Sequence, residues 1–341
     1  MLEPQEIRFT YDDISDDSEV PTVNARKSLE INEKNSNFTV IIPDGEEKIE
    51  RNAFLKCAGV LNVDIPDSVR EIGNGAFNQC VSLKTVKLPN EIATIPKFMF
   101  NMCNSLVSIV IPKSVTEIGN FSFFQCSSLT NVTIPDSVIK IGDGAFSECY
   151  SLEKISISEH VTEIGAYAFK KCSFLTSVTM PRCIEIISEG LFCGCKRLEE
   201  ITIPNSVVEI HKYAFSFCKS LTNLQIPNSV TKIDEGSFKF CKSLEEITIP
   251  YGILKIEKCL FMGCLSLTKV EIPNSVTKIE DSAFEYCHSL SNIKIPGSVT
   301  EIGDYAFNEC LLLKNIWLTN KIVNFGRGAF NGCVSLSGIQ N

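Results

Sequence analysis

A 23-residue period governs this sequence from residue 42 onward. The segment IPDSVIKIGDGAFSECYSLEKIS, residues 134–156, is one of thirteen consecutive copies that run without insertion to residue 340 and occupy 299 of the 341 residues. A unit of this length cannot enclose its own apolar side chains, whereas stacked copies bury them between neighbours. The period therefore predicts a solenoid in which each copy forms one coil.

The apolar positions of the repeat predict its core. Position 13 is phenylalanine in every copy, as at Phe146, and position 19 is leucine in every copy but the first, as at Leu152. Position 8 is isoleucine in every copy but the last, as at Ile141. Columns of like side chains, one from each coil, indicate a core that is continuous along the stack.

Alternation within each copy predicts the strands. Val132 and Ile134 are apolar and flank the polar Thr133, which is the period-2 pattern of a half-buried strand. Successive coils would pair these strands in parallel, and the proline that follows in most copies would end each ladder. VIKIG, residues 138–142, is expected to form a second short strand. AFSEC, residues 145–149, is expected to form a tight helical or 3₁₀ turn.

Glycine recurs at position 9 of several copies, as at Gly73 and Gly142. Its recurrence with the repeat argues against a phosphate-binding loop. We instead expect these glycines to serve a turn that requires unusual backbone angles.

Most cysteines follow the repeat as well. Thirteen of the sixteen occupy position 16, as at Cys126 and Cys241. We expect them to be small buried hydrophobes, because side chains stacked in one column rarely meet the dihedral geometry of a disulfide. Reduced thiols in turn favour a reducing compartment.

The cysteines outside this column are the candidates for chemistry. They are Cys183, Cys193 and Cys259, and Cys193 forms a CGC triplet that raises the hypothesis of a zinc site, but no histidine lies close by in the sequence. The three histidines fall in different coils and at different repeat positions, so no Ser-His-Asp or Cys-His arrangement is predicted. The sequence therefore predicts a protein that is not an enzyme and has no metal or cofactor.

The sequence divides at the start of the array. Residues 1–41 carry nine Asp or Glu against four Lys or Arg and are predicted to form an acidic N-terminal segment whose last part, residues 29–41, caps the first coil. Residues 42–341 are predicted to form one thirteen-repeat domain. At the far end Ile339 still occupies a strand position, and an open sheet end is a template for pairing with another chain. A homodimer through this uncapped C-terminal end is therefore one hypothesis, and frayed polar residues are the alternative.

Charge and hydropathy exclude several partners. The net charge is −9 and no basic cluster occurs, which disfavours nucleic acid. The sequence contains no apolar run of about 18 residues, so no membrane-spanning helix is predicted. The first residues lack the charged start and apolar core of a secretory signal, so we expect a cytoplasmic location.

The outward strand positions form a polar strip that is the main candidate for binding. Trp317, the only tryptophan, is notable because an outward aromatic residue at a sheet edge is a common binding anchor. The alternative is that the strip is a solvated face, since strands alternate in any case. The predicted partner-binding residues of the strip are Thr133, Thr179, Glu200, Thr202, Gln225, Glu246, Thr248, Lys269, Glu271 and Trp317.

One short motif lies outside the array. Ile7-Arg8-Phe9 resembles the hydrophobic-x-Phe docking peptide by which regulators add an edge strand to a serine/threonine protein phosphatase, with Ile7 and Phe9 as the anchoring side chains. That motif normally follows a basic residue, and Glu6 stands there instead. The alternative is that Ile7 and Phe9 pack on the cap.

The consensus IPxSVxxIGxxAFxxCxSLxxVx resembles the BspA-like leucine-rich repeat family over residues 42–340. The resemblance implies a leucine-rich-repeat solenoid, a curved right-handed superhelix with a parallel β-sheet on its concave side and short turns or 3₁₀ elements on its convex side. It also implies protein binding without catalysis. Known members are largely surface proteins of bacteria and parasitic protists that mediate adhesion to host matrix or other cells.

Three functions are compatible with these observations. The leading expectation is an intracellular scaffold, from a protist, that binds a partner protein through the repeat surface. The first alternative is a surface adhesin for host matrix or cells, exported by an unconventional route. The second is a modulator of a serine/threonine protein phosphatase.

Overall fold

The computed structural model describes residues 5–8, 38–318 and 324–340, in which β-strands and turns are present and no helix occurs. By internal contacts the chain divides into two compact units, residues 1–173 and 174–341. In each unit the 23-residue coils supply strands to two parallel sheets. Sheet A takes the strands around repeat positions 21–23, and sheet B takes the two-residue strands at positions 7 and 8.

In the first unit sheet A has the strand orders β1-β2-β4-β6 and β8-β10-β12, and sheet B has the orders β3-β5 and β7-β9-β11-β13. The strands are β1 (Gln5–Arg8), β2 (Phe38–Ile41), β3 (Lys48–Ile49), β4 (Val60–Asp64), β5 (Glu71–Ile72), β6 (Thr85–Lys87), β7 (Thr94–Ile95), β8 (Ser108–Val110), β9 (Glu117–Ile118), β10 (Asn131–Thr133), β11 (Lys140–Ile141), β12 (Lys154–Ser156) and β13 (Glu163–Ile164).

In the second unit sheet A has the orders β14-β16, β19-β21 and β23-β25-β27, and sheet B has the orders β15-β17-β18 and β20-β22-β24-β26. The strands are β14 (Ser177–Thr179), β15 (Ile186–Ile187), β16 (Glu200–Ile201), β17 (Glu209–Ile210), β18 (Lys232–Ile233), β19 (Glu246–Thr248), β20 (Lys255–Ile256), β21 (Lys269–Glu271), β22 (Lys278–Ile279), β23 (Asn292–Ile295), β24 (Glu301–Ile302), β25 (Asn315–Leu318), β26 (Asn324–Phe325) and β27 (Gly338–Gln340).

Pairing follows the repeat. Val132 in β10 is opposite Ile155 in β12, and Ile141 in β11 is opposite Ile164 in β13, so each partner lies one 23-residue period away. Both the predicted strand at positions 21–23 and the predicted second strand in VIKIG are therefore confirmed.

The core consists of the predicted columns. Phe146 and Leu152 in the first unit, and Phe238 and Leu244 in the second, have no exposed surface. Phenylalanine rings of successive coils stack with centroids 5.1 Å apart for Phe123 and Phe146 and 5.7 Å apart for Phe215 and Phe238. This is the range in which aromatic pairs attract beyond their buried area.

The predicted tight turn at AFSEC is present, since the Ser147 N–H donates to the Gly144 carbonyl and the Cys149 N–H donates to the Phe146 carbonyl, both i to i+3 bonds. The sequence did not predict its left-handed residues. Positions 11 and 15 of every copy have φ between 54° and 80°.

The left-handed residues direct alternate turn N–H groups toward the next coil. Gly144 donates to Ala166 at 2.8 Å, and Phe146 donates to Ala168 at 2.8 Å. A third set of hydrogen bonds between coils therefore forms where no strand exists, and it satisfies backbone groups that the turn would otherwise bury without partners.

The expectation of unusual backbone angles at the position-9 glycines is wrong. Their φ values lie outside the left-handed region, and the reason for glycine is space. A Cβ on Gly119 would lie 2.7 Å from the Lys97 nitrogen, and one on Gly303 would lie 2.6 Å from the Asp281 nitrogen. Glycine at this position permits the backbone of the preceding coil to approach closely.

The degenerate strand expected around Phe38 to Ile42 is present as β2, which pairs in parallel with β4. β1 pairs with the other edge of β2, with Gln5 opposite Phe38 and Arg8 opposite Ile41. Residues 29–37 of the predicted cap lie outside the described residues. At the other end β27 pairs with β25, and the homodimer through the C-terminal end stays a prediction.

Candidate functional site

The predicted binding residues lie on the outward side of sheet A. Thr133 is exposed on β10 in the first unit. The alternate residues of these strands are buried, as with Ile247, which is 3% exposed. The exposed residues of the second unit, called the strand face below, are Thr179, Glu200, Thr202, Gln225, Glu246, Thr248, Lys269, Glu271 and Trp317.

Charged residues of the strand face pair with one another. Lys269 Nζ lies 2.8 Å from Glu271 Oε1 and 4.0 Å from Glu246 Oε2. The hydrogen bond to Glu271 raises the pKa of Lys269, and the same bond lowers the pKa of Glu271. Ion pairs as exposed as these contribute little to folding. Because the side chains are exposed, their charges are accessible to a partner.

Trp317 lies on β25, between β23 and β27, and is opposite Lys294 and Gln340. It is thus on an inner strand, not on the sheet edge that the sequence suggested. Its side chain is 40% exposed, so the strand face includes apolar surface next to the strand that carries Lys294. Aromatic side chains with this exposure are favourable anchors for a protein partner.

The pairing of sheet A is interrupted within the strand face. β16 contains only two residues, and the next coil contributes one isolated bridge, between Asn223 and Glu246, before pairing resumes at β19. Leu224 stands at position 22 of this coil, where every other copy has valine or isoleucine. Leucine lacks the β-branched side chain that favours strands. The coil that forms no strand in sheet A is thus also the coil without a β-branched residue at position 22.

A depression of about 870 Å³ lies at the interruption. It brings together four predicted residues, and it adds asparagines from the turns after sheet A that the sequence analysis missed. The sequence signal that could have identified it is the unique leucine at position 22. The polar residues that line it are Ser177, Thr179, Glu200, Thr202, Asn205, Asn223, Gln225 and Asn228.

A smaller depression of about 310 Å³ lies farther along the same sheet, and its lining includes Thr248, Glu271 and Lys294. Tyr251 borders it and is 76% exposed. Tyr251 was not among the predicted residues. The signal that could have identified it is its contrast with the neighbouring copies, which have asparagine at this repeat position. This end of the strand face therefore combines charge with aromatic surface.

The backbone of Ile7 is part of β1, opposite Val40 of β2. Phe9 lies outside the described residues. A docking peptide of the phosphatase type binds by strand addition. One edge of β1 already pairs with β2. The hypothesis that the protein docks on a phosphatase stays a prediction.

The cysteine column is structural. The Cys241 thiol donates to the Phe215 carbonyl at 3.2 Å, and burial raises the pKa of Cys241 to about 12. The same bond recurs from Cys80 to Phe54 in the first unit. A buried thiol that stays protonated is a poor nucleophile.

Outside the column, Cys183 is exposed, and Cys193 and Cys259 are half-buried. The part of the chain that the structure describes contains no group of three or more His, Cys, Asp or Glu arranged to hold a metal ion. His211 Nε2 lies 2.9 Å from Glu209, whose carboxylate also pairs with Lys232 at 3.1 Å. This histidine therefore contacts the ion pair between Glu209 and Lys232 on sheet B.

Parallel two-sheet coils, a stacked phenylalanine core and an exposed strand face define a leucine-rich-repeat solenoid. The family model described as BspA type leucine rich repeat region matches residues 32–127, 93–222 and 208–337. The chain therefore belongs to this family. The fold is typically a non-enzymatic binding scaffold, and the matching family is not a catalytic one.

Crystal structures of bacterial proteins have similar folds. A leucine-rich repeat protein from Bacteroides ovatus is 31% identical over 88% of this chain and 86% of its own, with a TM-score of 0.76. A leucine rich cell surface protein from Faecalibacterium prausnitzii is 30% identical over 89% of this chain and 78% of its own, with a TM-score of 0.56. A leucine-rich repeat protein from Eubacterium ventriosum is 26% identical over 93% and 87%, with a TM-score of 0.63.

No functionally curated protein is significantly similar to this chain. Within the described ranges there is also no helix of the length and apolarity needed to cross a membrane.

Proposed function

We propose that this protein is a non-catalytic scaffold that binds a partner protein through the strand face. The observation that carries the proposal is the row of exposed polar, charged and aromatic side chains on a sheet whose opposite side is buried. Such a surface is ordered before a partner arrives, which lowers the entropic cost of binding. We also propose a cytoplasmic location, which is supported by the buried thiol column, since reduced thiols persist in a reducing compartment.

The test pairs one variant of the strand face with a matched control. Partners are cross-linked and identified, then purified and titrated against the full chain. Glu271→Lys with Trp317→Ala should weaken binding about a hundredfold, since anchor residues each contribute about 1–2 kcal/mol or more.

The control, Glu185→Lys with Phe217→Ala, also reverses one exposed charge and removes one aromatic side chain that is 40% exposed. It lies away from the strand face and should change affinity less than about twofold. Equal effects of the two double variants would contradict the proposal.

A surface adhesin that binds host matrix or cells is the second candidate. It is favoured by the 30% identity to a leucine rich cell surface protein. Protease added to intact cells should degrade an adhesin and leave a cytoplasmic protein whole, with lysed cells as the control.

A further inference from the structure

One coil of the second unit has an incomplete set of strand hydrogen bonds. β23 and β25 pair over four residue positions, and β19 and β21 pair over three. Residues 223–225, at the same repeat positions, form only the bridge from Asn223 to Glu246. Main-chain groups of this coil therefore lack the strand partners that equivalent groups have in neighbouring coils.

The amide side chains at this coil also differ from those of Asn292 and Asn315 on sheet A. The Asn315 side chain donates to Asn292 at 2.8 Å, which couples adjacent strands. Each primary amide supplies donors and an acceptor, as a peptide group does. The amides that line the 870 Å³ depression without a hydrogen-bonding partner among the described residues are Asn205, Asn223, Gln225 and Asn228.

The lining of the depression also restricts what could occupy it. Glu200 is its single ionisable residue, so a highly charged ligand would find no set of counter-charges. Small-molecule sites are mostly apolar, whereas this lining is rich in amides and hydroxyls. No aromatic residue is part of the lining, so a sugar ring has no face on which to stack.

We propose that this depression binds an extended, uncharged segment of a partner polypeptide, recognised chiefly through its main-chain N–H and C=O groups. The unpaired side-chain amides supply donors and acceptors that match the N–H and C=O groups of an extended chain. The inference rests on the proposed function, which it refines by naming the subsite and the chemistry of the bound segment.

The probe is a phage-displayed library of random nine-residue peptides, selected on the full chain. Enriched peptides are synthesised both unmodified and with single backbone N-methyl groups, which remove main-chain donors. We expect at least one N-methyl position to weaken binding about tenfold or more, because it removes a hydrogen bond and introduces a steric conflict. This readout does not depend on the folding of any protein variant.

The protein variants locate the site. Asn223→Ala with Gln225→Ala should weaken peptide binding about tenfold. Thr222→Ala with Thr231→Ala removes two exposed polar groups on either side of the same segment but outside the lining. This control should bind as the wild-type chain does.

Several outcomes would overturn the inference. These are failure to enrich any peptide, binding that ignores N-methylation, and binding that is unchanged by the Asn223 and Gln225 substitutions. Amide-dependent binding of neutral oligosaccharides in place of peptides would assign the depression to carbohydrate. The proposed function is judged separately by the Glu271 and Trp317 titration, so either claim can fail while the other stands.

Discussion

At the scale of single residues, the invariant cysteine is explained by the phenylalanine three positions before it in the preceding coil. The Phe215 carbonyl accepts the Cys218 N–H at 3.1 Å and the Cys241 thiol at 3.2 Å. A carbonyl has two acceptor sites, and both are used here in a buried position. Cysteine therefore fills space and also satisfies a buried acceptor of the preceding coil.

A pH dependence follows for this column. Burial raises the pKa of Cys241 to about 12, whereas a thiol in an unfolded chain has a pKa of about 8.5. Its stabilising contribution is complete below about pH 8.5 and is lost as the pH rises toward the folded value, because only the unfolded chain then releases the proton.

Cys241→Ala should accordingly make the free energy of unfolding fall less steeply between pH 9 and pH 10, by about 1 kcal/mol per pH unit. Urea unfolding at several pH values measures this slope. Cys183→Ala, which removes an exposed thiol, is the control. Parallel curves for the wild-type chain and Cys241→Ala would show that folding does not raise the pKa of this thiol.

The left-handed positions show a second relation between neighbouring coils. The Tyr213 ring covers Gly236, where a Cβ would lie 2.6 Å from the ring. A left-handed residue at position 11 thus extends its side chain over the same position of the next coil. Glycine there avoids both the steric conflict and the cost of a positive φ.

At the scale of elements, position 22 distinguishes one coil of sheet A. Every copy with valine or isoleucine there forms a strand of sheet A, whereas the copy with Leu224 forms a single bridge. The coil without a strand is thus the one without a β-branched residue at this position. Three of the unpaired amides that line the 870 Å³ depression, Asn205, Asn223 and Gln225, belong to the same coil.

Asn223→Thr with Leu224→Ile should restore pairing at this coil. Amide hydrogen exchange at residues 223–225 should slow about fivefold, since strand preferences span about 1 kcal/mol. Val132→Leu in β10 is the reverse substitution in a regular ladder and should accelerate exchange there. Exchange that is unaffected by both variants would mean that position 22 does not control the pairing.

At the scale of the molecule, stability is expected to be a sum over coils and their contacts. Coils of either unit bond to their neighbours at the left-handed turn and, along most of the stack, at sheet A and sheet B. Such arrays tolerate the loss of whole repeats, because the new neighbours meet at equivalent positions.

Deletion of residues 134–156, one complete coil of the first unit, should therefore leave a cooperatively unfolding protein with a slightly smaller urea m-value. Deletion of residues 134–145 removes about half a coil and places unlike positions opposite each other. It should abolish the cooperative transition measured by circular dichroism. If the two deletions behave alike, the repeat is not the unit of stability.

The sequence alone determined the columns, the two sheets, their parallel order and the outward positions of the strand face. This was possible because a fixed period identifies equivalent positions, and the shared chemistry of Phe146, Cys149 and Leu152 with their counterparts indicates burial. The period also kept Gly142 from being interpreted as part of a phosphate-binding loop.

Only the tertiary structure decided the left-handed turns, the reason for glycine at position 9 and the depression beside Asn223. Phe121, Tyr213 and Glu148 all adopt left-handed angles, so residue type carries no signal there. The angles are imposed by hydrogen bonds to the next coil. The depression is lined by residues of several coils, from Ser177 to Asn228. Its presence is therefore a property of the contact between coils and not of any one coil alone.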